Sequence, residues 1–530
     1  MTVETVAPTD TKHLRPGSPS LSSSKEAGNV TIVAHEEDLD GDAGLHELGY
    51  KAELHRTRGF MDVFAMSITC LAVPYGYGTT LATGIYGGGP MTMVWGSLIV
   101  TILQWTIAFS LGELASRWPT SAGAYYWTFQ LAPKRFRTVL SYINGWLLLT
   151  AVLLTTTSVA FGISQHIVAT VNIVHPDWSP AQWVYILIAY ALLALAAIPL
   201  LMNPRYLTFM EKTNVIVTWV YKFAHIIVLS ARAKAGRRSA KYAFTHYEPQ
   251  LSGWGDVWTF FIGFLPGAYA NCAPGFVLAM TEEVHKPETN VPRAMAYSMM
   301  PASFVLAWAF ILPLTFTMPS SEVLLEAPNG IVLPYAYKLI VGNDAGAILL
   351  MLGILYIGFN CLVGINTTAS RQLWSFSRDH AVPGSAIWSR VTPSGNVPYA
   401  IALCLVVQCL LCLIDLGSTT AFNSFVSTAV NAFMAAYALP ILLSLLEGRK
   451  SISSAPFTRR IVGLVCNWVV MIWAPLGLVI FSMPAVIPVT AQTMNYSSVV
   501  LGGFITIASV WYLVYARRVY KGPPASAELH

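Results

Sequence analysis

This 530-residue chain predicts an all-α integral membrane fold of twelve transmembrane helices, and three observations predict it. Hydrophobic residues make up 55% of the chain and charged residues 11%, with a mean hydropathy of +0.56. Soluble chains carry about 25% charged residues. The apolar residues come in blocks close to the ~20 that carry a helix across a bilayer. The first and sixth blocks are each interrupted near the middle by proline and glycine.

The first 58 residues differ in kind. They are polar, acidic in patches and rich in Ser and Thr, which reads as a disordered tail. No cleavable apolar leader is expected, so the first span itself directs insertion. Residues 59–516 form the membrane domain and 517–530 a short C-terminal tail. The formal net charge of +5 needs no nucleic-acid partner, because the basic residues cluster at span ends. All seven cysteines fall in apolar blocks, without the spacing of a disulfide framework or a metal site. No His-Glu-x-x-His pattern and no Ser or Asp dyad stands out, so no enzyme, metal or cofactor is expected.

Hydropathy places the twelve spans at 60–85, 91–111, 139–164, 184–202, 207–230, 257–280, 295–318, 345–369, 398–414, 422–446, 461–483 and 499–515. An even count puts both termini on one side. Lys and Arg concentrate after spans 2, 4, 6, 8 and 10. None follow spans 1, 3, 9 and 11, and only Lys338 follows span 7. That bias predicts cytoplasmic termini. One loop dissents: Arg232, Lys234, Arg237, Arg238 and Lys241 follow span 5, leaving open that one of spans 1 to 5 is not a full crossing.

Span 1 carries Pro74, Gly76 and Gly78, and span 6 carries Pro266-Gly267 and Pro274-Gly275. Unpaired backbone groups are costly in hydrocarbon, so broken helices persist only beside a protected cavity. Two breaks five spans apart predict two inverted five-helix repeats, each opening on a discontinuous helix, with substrate held between the breaks. Proline and glycine as ordinary kink and packing residues are the competing reading.

Three segments carry a family resemblance. "TEEVHKPETNVPRAM" (281–295), "GELASRWPTSAGAYYW" (112–127) and "ASRQLWSFSRDHAVP" (369–383) resemble segments after helices 6, 2 and 8 of amino acid permeases of the amino acid–polyamine–organocation superfamily. The chain is most similar to the fungal amino acid/choline transporter group. The resemblance implies a plasma-membrane, proton-coupled carrier of a small amine or amino acid, choline-like or GABA-like, working by alternating access. An exporter of a cationic metabolite such as an alkaloid, and a non-transporting nutrient receptor on the same scaffold, remain alternatives. Pro274-Gly275-Phe276 stands where many relatives have an acidic residue near the break, so amino acid specificity does not carry over directly.

The substrate-binding candidates are Gly76, Tyr77, Gly78 and Thr79 on span 1 and Tyr269, Asn271, Ala273, Gly275 and Phe276 on span 6. The resemblance implies that backbone groups at these breaks contact the ligand. Neither break carries Asp or Glu, so a cationic ligand needs carbonyls and aromatic faces. Tyr75, Tyr77, Tyr269, Phe276 and Trp146 can build such a cage, or simply pack. Lys222 lies near the middle of span 5 with His225 at i+3. A charge there is costly and is a functional candidate, here for proton coupling; snorkelling to the interface is the competing role. Glu282 and Glu283 lie at the negative end of the span 6 dipole and need an offsetting cation. A gate with one Glu paired to Arg117 or Arg378 is expected. Asn290 and Pro292 read as the cap and first turn of span 7. Asn495 begins a glycosylation sequon close to the membrane.

Overall fold

The computed structural model describes residues 44–202, 204–272, 274–416, 421–491 and 493–524. Ala273 and the Ser-rich stretch 18–24 lie outside the described residues. Among the described residues eleven helices are long and apolar enough to cross a bilayer. The twelfth crossing, span 9, is the shorter helix Pro398–Cys412, prolonged by the 3-10 turn Leu413–Leu416. Among the described residues the one β-type contact is an isolated bridge between Arg58 and Val284.

Span 1 comprises Phe60–Leu71, Val73–Thr79 and Leu81–Tyr86. Span 6 comprises Asp256–Ile262, Leu265–Ala270 and the 3-10 segment Pro274–Glu283. The continuous spans are Pro90–Arg117 (2), Arg137–Val171 (3), Gln182–Leu201 (4), Pro204–Arg232 (5), Pro287–Thr317 (7), Asp344–Arg378 (8), Ala421–Leu446 (10) and Arg460–Ile480 (11). Span 12 runs from Ser497–Trp511 through the π turn Tyr512–Ala516. The packing has the two-fold character of an inverted repeat. Span 1 packs on 6, 2 on 7, 3 on 8 and 4 on 9; span 4 on 8 is matched by 9 on 3, and span 5 on 1 by 10 on 6.

All loops joined to the N-terminal segment sit on one face of the bundle, here the tail face. His55 reaches the carbonyl of Pro393, Asn396 reaches Leu201 and Met202, and Gln130 reaches Pro524. The dissenting basic loop lies on the opposite face, where Lys234 and Arg238 N–H groups donate to Ile340 and Phe316. Span 5 is therefore a full crossing. The cations have local work there: Arg237 donates to Ser230 at the end of span 5 and Arg238 to Met318 just past span 7. Both carbonyls lie at the negative ends of helices, where cations are favoured.

Three expectations are corrected. Residues 44–58, assigned to a disordered tail, are seated against the bundle, because Leu45, Leu48, Tyr50 and Leu54 are apolar anchors that bury there. Span 7 begins at Pro287, not after an Asn290 cap. Lys286 takes a left-handed backbone (φ 47°) and Pro287, lacking an N–H to satisfy, starts the helix; the Asn290 amide donates back to His285. The span 1 break falls at Ala72 (φ 39°), two residues before Pro74, which serves as a first-turn proline of the outer half-helix.

Gly76, Gly78 and Gly263 act through contact. A Cβ on Gly76 would lie 2.9 Å from the Ala270 Cβ, and one on Gly263 would lie 2.4 Å from Thr92 and 2.7 Å from the Gly87 carbonyl oxygen. Overpacking of this kind costs about 1–3 kcal/mol. Gly263→Ala is expected to lower the melting temperature of the detergent-solubilised protein, measured by intrinsic fluorescence. Gly502→Ala, with nothing within 4 Å of the added carbon, is expected to leave it unchanged.

Candidate functional site

The two breaks face each other across a narrow cavity of about 20 Å³, the space of one water. Cys70, Ala72, Tyr75 and Gly76 line it from span 1, and Tyr269, Ala270, Cys272 and Phe276 from span 6. Thr155 and Val159 of span 3 and Cys361 and Ile365 of span 8 complete it. Span 8 satisfies carbonyls that the breaks release, and span 3 anchors the tyrosines of both. Cys361 Sγ donates to the carbonyl of Cys70 (3.3 Å) and Thr368 Oγ1 to that of Phe276 (3.2 Å). Tyr75 Oη donates to the Val159 carbonyl (2.8 Å), and Tyr269 Oη shares a hydrogen bond with Ser158 Oγ (2.8 Å). The span 1 and span 6 tyrosines thus reach adjacent residues of span 3.

One turn farther along span 1, Thr79 lines a wider vestibule of about 290 Å³ at the opposite face, together with Thr83, Gln165, Asn423 and Ser427. Its floor meets Leu265 and Phe422. None of the residues lining the cavity or the vestibule carries a charge.

The tail face is closed by a buried ion network. Arg58, just before span 1, pairs with Glu211 of span 5 (2.7 Å) and with Glu283 at the end of span 6 (3.4 Å). Arg371 of span 8 takes the other Glu283 oxygen (3.0 Å). Arg378, two turns farther along the same face of span 8, binds Glu282 through two parallel hydrogen bonds of 3.0 Å. Ser121 N–H and Thr120 Oγ1 add donors to Glu282. The Arg378 guanidinium lies 3.9 Å from the centre of the Tyr50 ring and 4.5 Å from that of Trp374. Tyr50 and Tyr125 donate to Asp379. Residues 55–58 cross beneath this network, with Thr57 and Arg58 N–H groups on the Glu283 carbonyl and His285 N–H on that of Arg58. Of the two cations expected to pair with one of these glutamates, Arg378 pairs with Glu282.

The predicted residues separate by location. Gly76, Tyr269 and Phe276 line the cavity and Thr79 lines the vestibule. Gly275 lies under the Tyr437 hydroxyl, 2.6 Å from where its Cβ would stand. The Asn271 side chain is tied to the Gly267 carbonyl and to Ser303, in the span 7 wall. Tyr77 Oη points at Gly267, and Gly78 faces Leu333 and Phe310. Trp146 is not part of an aromatic cage: it lies on the other side of span 3, against span 12, because its helical position faces away from Ser158 and Val159. The sequence reading missed Thr155, Ser158 and Val159, although the hydroxyl run Thr155–Thr156–Thr157–Ser158 in an apolar span was a usable signal. It also missed Arg58, Glu211 and Arg371 as clamp members. Glu211 within span 5 was a legible intramembrane charge.

Lys222 is 1% exposed, and its Nζ makes no hydrogen bond. It sits 4.7 Å from the centre of the Phe310 ring of span 7, and His225 stacks on the same ring at 4.9 Å. His225 meets the Phe310 carbonyl (3.1 Å) and Tyr337 Oη (3.1 Å), which meets Tyr221 Oη (2.7 Å). Phe310 also touches the space beside Gly78, which links this polar pocket to span 1. The Asn495 Nδ2 donates to Phe481, Met483 and Ser427.

Two facing broken spans, held by continuous spans around an uncharged cavity and closed at one end by ion pairs, define a secondary carrier of the inverted-repeat class. The chain belongs to the amino acid permease family, whose model matches residues 59–505. It is 32% identical to an amino-acid permease BAT1 homolog of Oryza sativa subsp. japonica, over 91% of this chain and 95% of that one. It is 29% identical to the choline transporter of Saccharomyces cerevisiae, over 83% and 78%, and 26% identical to the GABA-specific permease of the same yeast, over 95% and 89%. The protein is thus a multi-pass membrane transporter, not an enzyme.

Arg378→Ala leaves Glu282 buried without its cation, and breaking one side of a buried pair costs about 3–5 kcal/mol. Adding Glu282→Gln is expected to recover part of that loss in a thermal-unfolding double-mutant cycle. A charge exchange between the two positions is not expected to rescue. It would set a guanidinium against the Ser121 N–H and a carboxylate against the Tyr50 and Trp374 rings.

Proposed function

We propose that this transporter moves a small amine or amino acid, choline-like first and GABA-like second, with protons as the coupling ion. The observation that carries the substrate class is the uncharged cavity walled by Tyr75, Tyr269 and Phe276 between the two breaks. A compact cation meets aromatic faces and helix-end carbonyls there, each aromatic contact contributing about 0.5–2 kcal/mol. A ligand carboxylate, where present, meets only N–H and hydroxyl donors. The cavity has room for one water, so binding requires the half-helices to part. The vestibule reaching Thr79 sets the approach from the opposite face.

The tail face is read as cytoplasmic on the Lys and Arg bias of the loops, and the membrane as the plasma membrane on the family resemblance alone. In this reading the Glu282–Arg378 and Glu283–Arg58–Arg371 pairs are the cytoplasmic gate. Lys222 is the proton-coupling group. It is a buried amine with no hydrogen-bond acceptor among the described residues, and its charge rests against the Phe310 ring. Gain or loss of its proton changes how span 5 packs on Phe310, and through Phe310 on span 1.

Uptake of radiolabelled choline and GABA, measured in a permease-deficient yeast expressing the chain, tests the substrate. No uptake of either with robust surface expression would sink the reading. Tyr269→Ala is expected to raise KM for the accepted substrate about 2- to 30-fold, the range that the lost aromatic contact corresponds to. Lys222→Ala is expected to abolish the pH dependence of uptake; an unchanged rate and pH profile would remove Lys222 from the mechanism. Asn495, its amide committed to three acceptors, is expected to carry no glycan, so endoglycosidase treatment should leave gel mobility unchanged.

A further inference from the structure

Span 12 is the least covered of the spans, and Val499, Ile507, Val510 and Val514 are exposed on it. In a membrane protein that surface meets lipid. Between span 12 and the tail-face half of span 3 runs a groove of about 350 Å³, inside the ~300–1,000 Å³ range of small-ligand sites. Tyr142, Trp146 and Thr150 form one wall and Phe504, Ala508 and Tyr512 the other. It is separate from the cavity at the breaks, which draws on Thr155 and Val159 of span 3.

Two polar atoms in this groove have no partner beyond each other. Tyr142 is 1% exposed, and its Oη and the buried Trp146 Nε1, one turn apart on span 3, make no well-formed hydrogen bond. An unsatisfied buried donor costs about 1–3 kcal/mol, and hydrocarbon offers no water to relieve it. Both atoms lie toward the tail-face end. Tyr142 sits in the second turn of span 3 and packs on Tyr520, just past span 12. Toward the membrane interior the lining is mostly apolar, with Leu147, Leu501 and Phe504 beside the one hydroxyl of Thr150. Polar at the membrane boundary and apolar inward is the order of an amphiphile with one small head. The walls are flat rings facing the small Ala508, which favours a planar, rigid body over a coiling acyl chain. The groove ends where span 12 loosens into its π turn, Tyr512–Ala516, a feature frequent at functional sites.

We propose that the groove between spans 3 and 12 is a sterol site. The ring system lies along Trp146, Phe504 and Ala508, and the single hydroxyl accepts from Tyr142 Oη and Trp146 Nε1. The site does not depend on which substrate the carrier moves.

The test uses the full chain in phospholipid nanodiscs containing a diazirine-bearing sterol or, in parallel, a phospholipid with a diazirine acyl chain. Mass spectrometry maps the labelled peptides. The expected result is saturable sterol labelling of peptides containing residues 142–150 and 501–513, displaced by unlabelled sterol. Tyr142→Phe, which keeps the ring packing, and Ile505→Trp, which fills the groove from a half-exposed lipid-facing position, should each shift displacement at least fivefold. Labelling that does not saturate, or that the acyl probe reproduces equally, means bulk lipid and overturns the proposal. So does displacement unchanged in both variants.

Discussion

The arrangement of this carrier depends on one electrostatic constraint: three arginines and three glutamates buried together at the tail face. Arg58, Arg371 and Arg378 meet Glu211, Glu282 and Glu283 at the ends of spans 1, 5, 6 and 8. Taking ions out of water costs several kcal/mol each, and only good geometry with further hydrogen bonds repays it. Here the charges balance, Arg378 binds in a parallel fork, and Ser121 and Thr120 use the remaining capacity of Glu282. Such a network holds well while dry. Once water enters, hydration replaces the pairing, so the closure can be firm without being permanent.

That closure explains why the centre can be free of charge. With all six ions spent on one another, the cavity between the breaks is left to tyrosines, a phenylalanine, thiols and backbone. The breaks are tolerable because span 8 supplies thiol and hydroxyl partners to carbonyls the half-helices leave exposed, while the span 1 and span 6 tyrosines anchor on span 3. The rigid pair therefore serves both as wall of the site and as partner for its backbone. Movement of either half-helix must exchange those hydrogen bonds for contacts with a ligand or water.

Lys222 occupies the other electrostatic position in the fold. The clamp arginines are paired, whereas this amine rests against an aromatic ring. Its neighbours His225, Tyr337 and Tyr221 make a connected polar chain from span 5 to the Val332–Val341 helix on the opposite face. Span 5 thus bears Glu211 of the clamp near one end and Lys222 near its centre, both on its buried side.

The amino-acid sequence by itself determined the class, the twelve crossings and the two interrupted spans, because hydropathy and proline act locally and need no partner to be read. It also showed Lys222 and the Glu282–Glu283 pair as charges needing an explanation. Tertiary structure alone decided where the strain sits. The span 1 break moved to Ala72, since Pro74 is comfortable in a first turn, and Gly76 and Gly78 proved to be close-approach residues. It decided that Tyr77 lies against Gly267 outside the cavity lining and that Trp146 faces span 12, because a helical side chain's neighbours depend on which helices pack beside it. It decided that residues 44–58 are part of the bundle: Arg58 finds its partners 153 and 225 residues away. Periodicity fixes which residues share a face of one helix; which faces meet is set by packing between distant segments, and the clamp and the cavity both lie there.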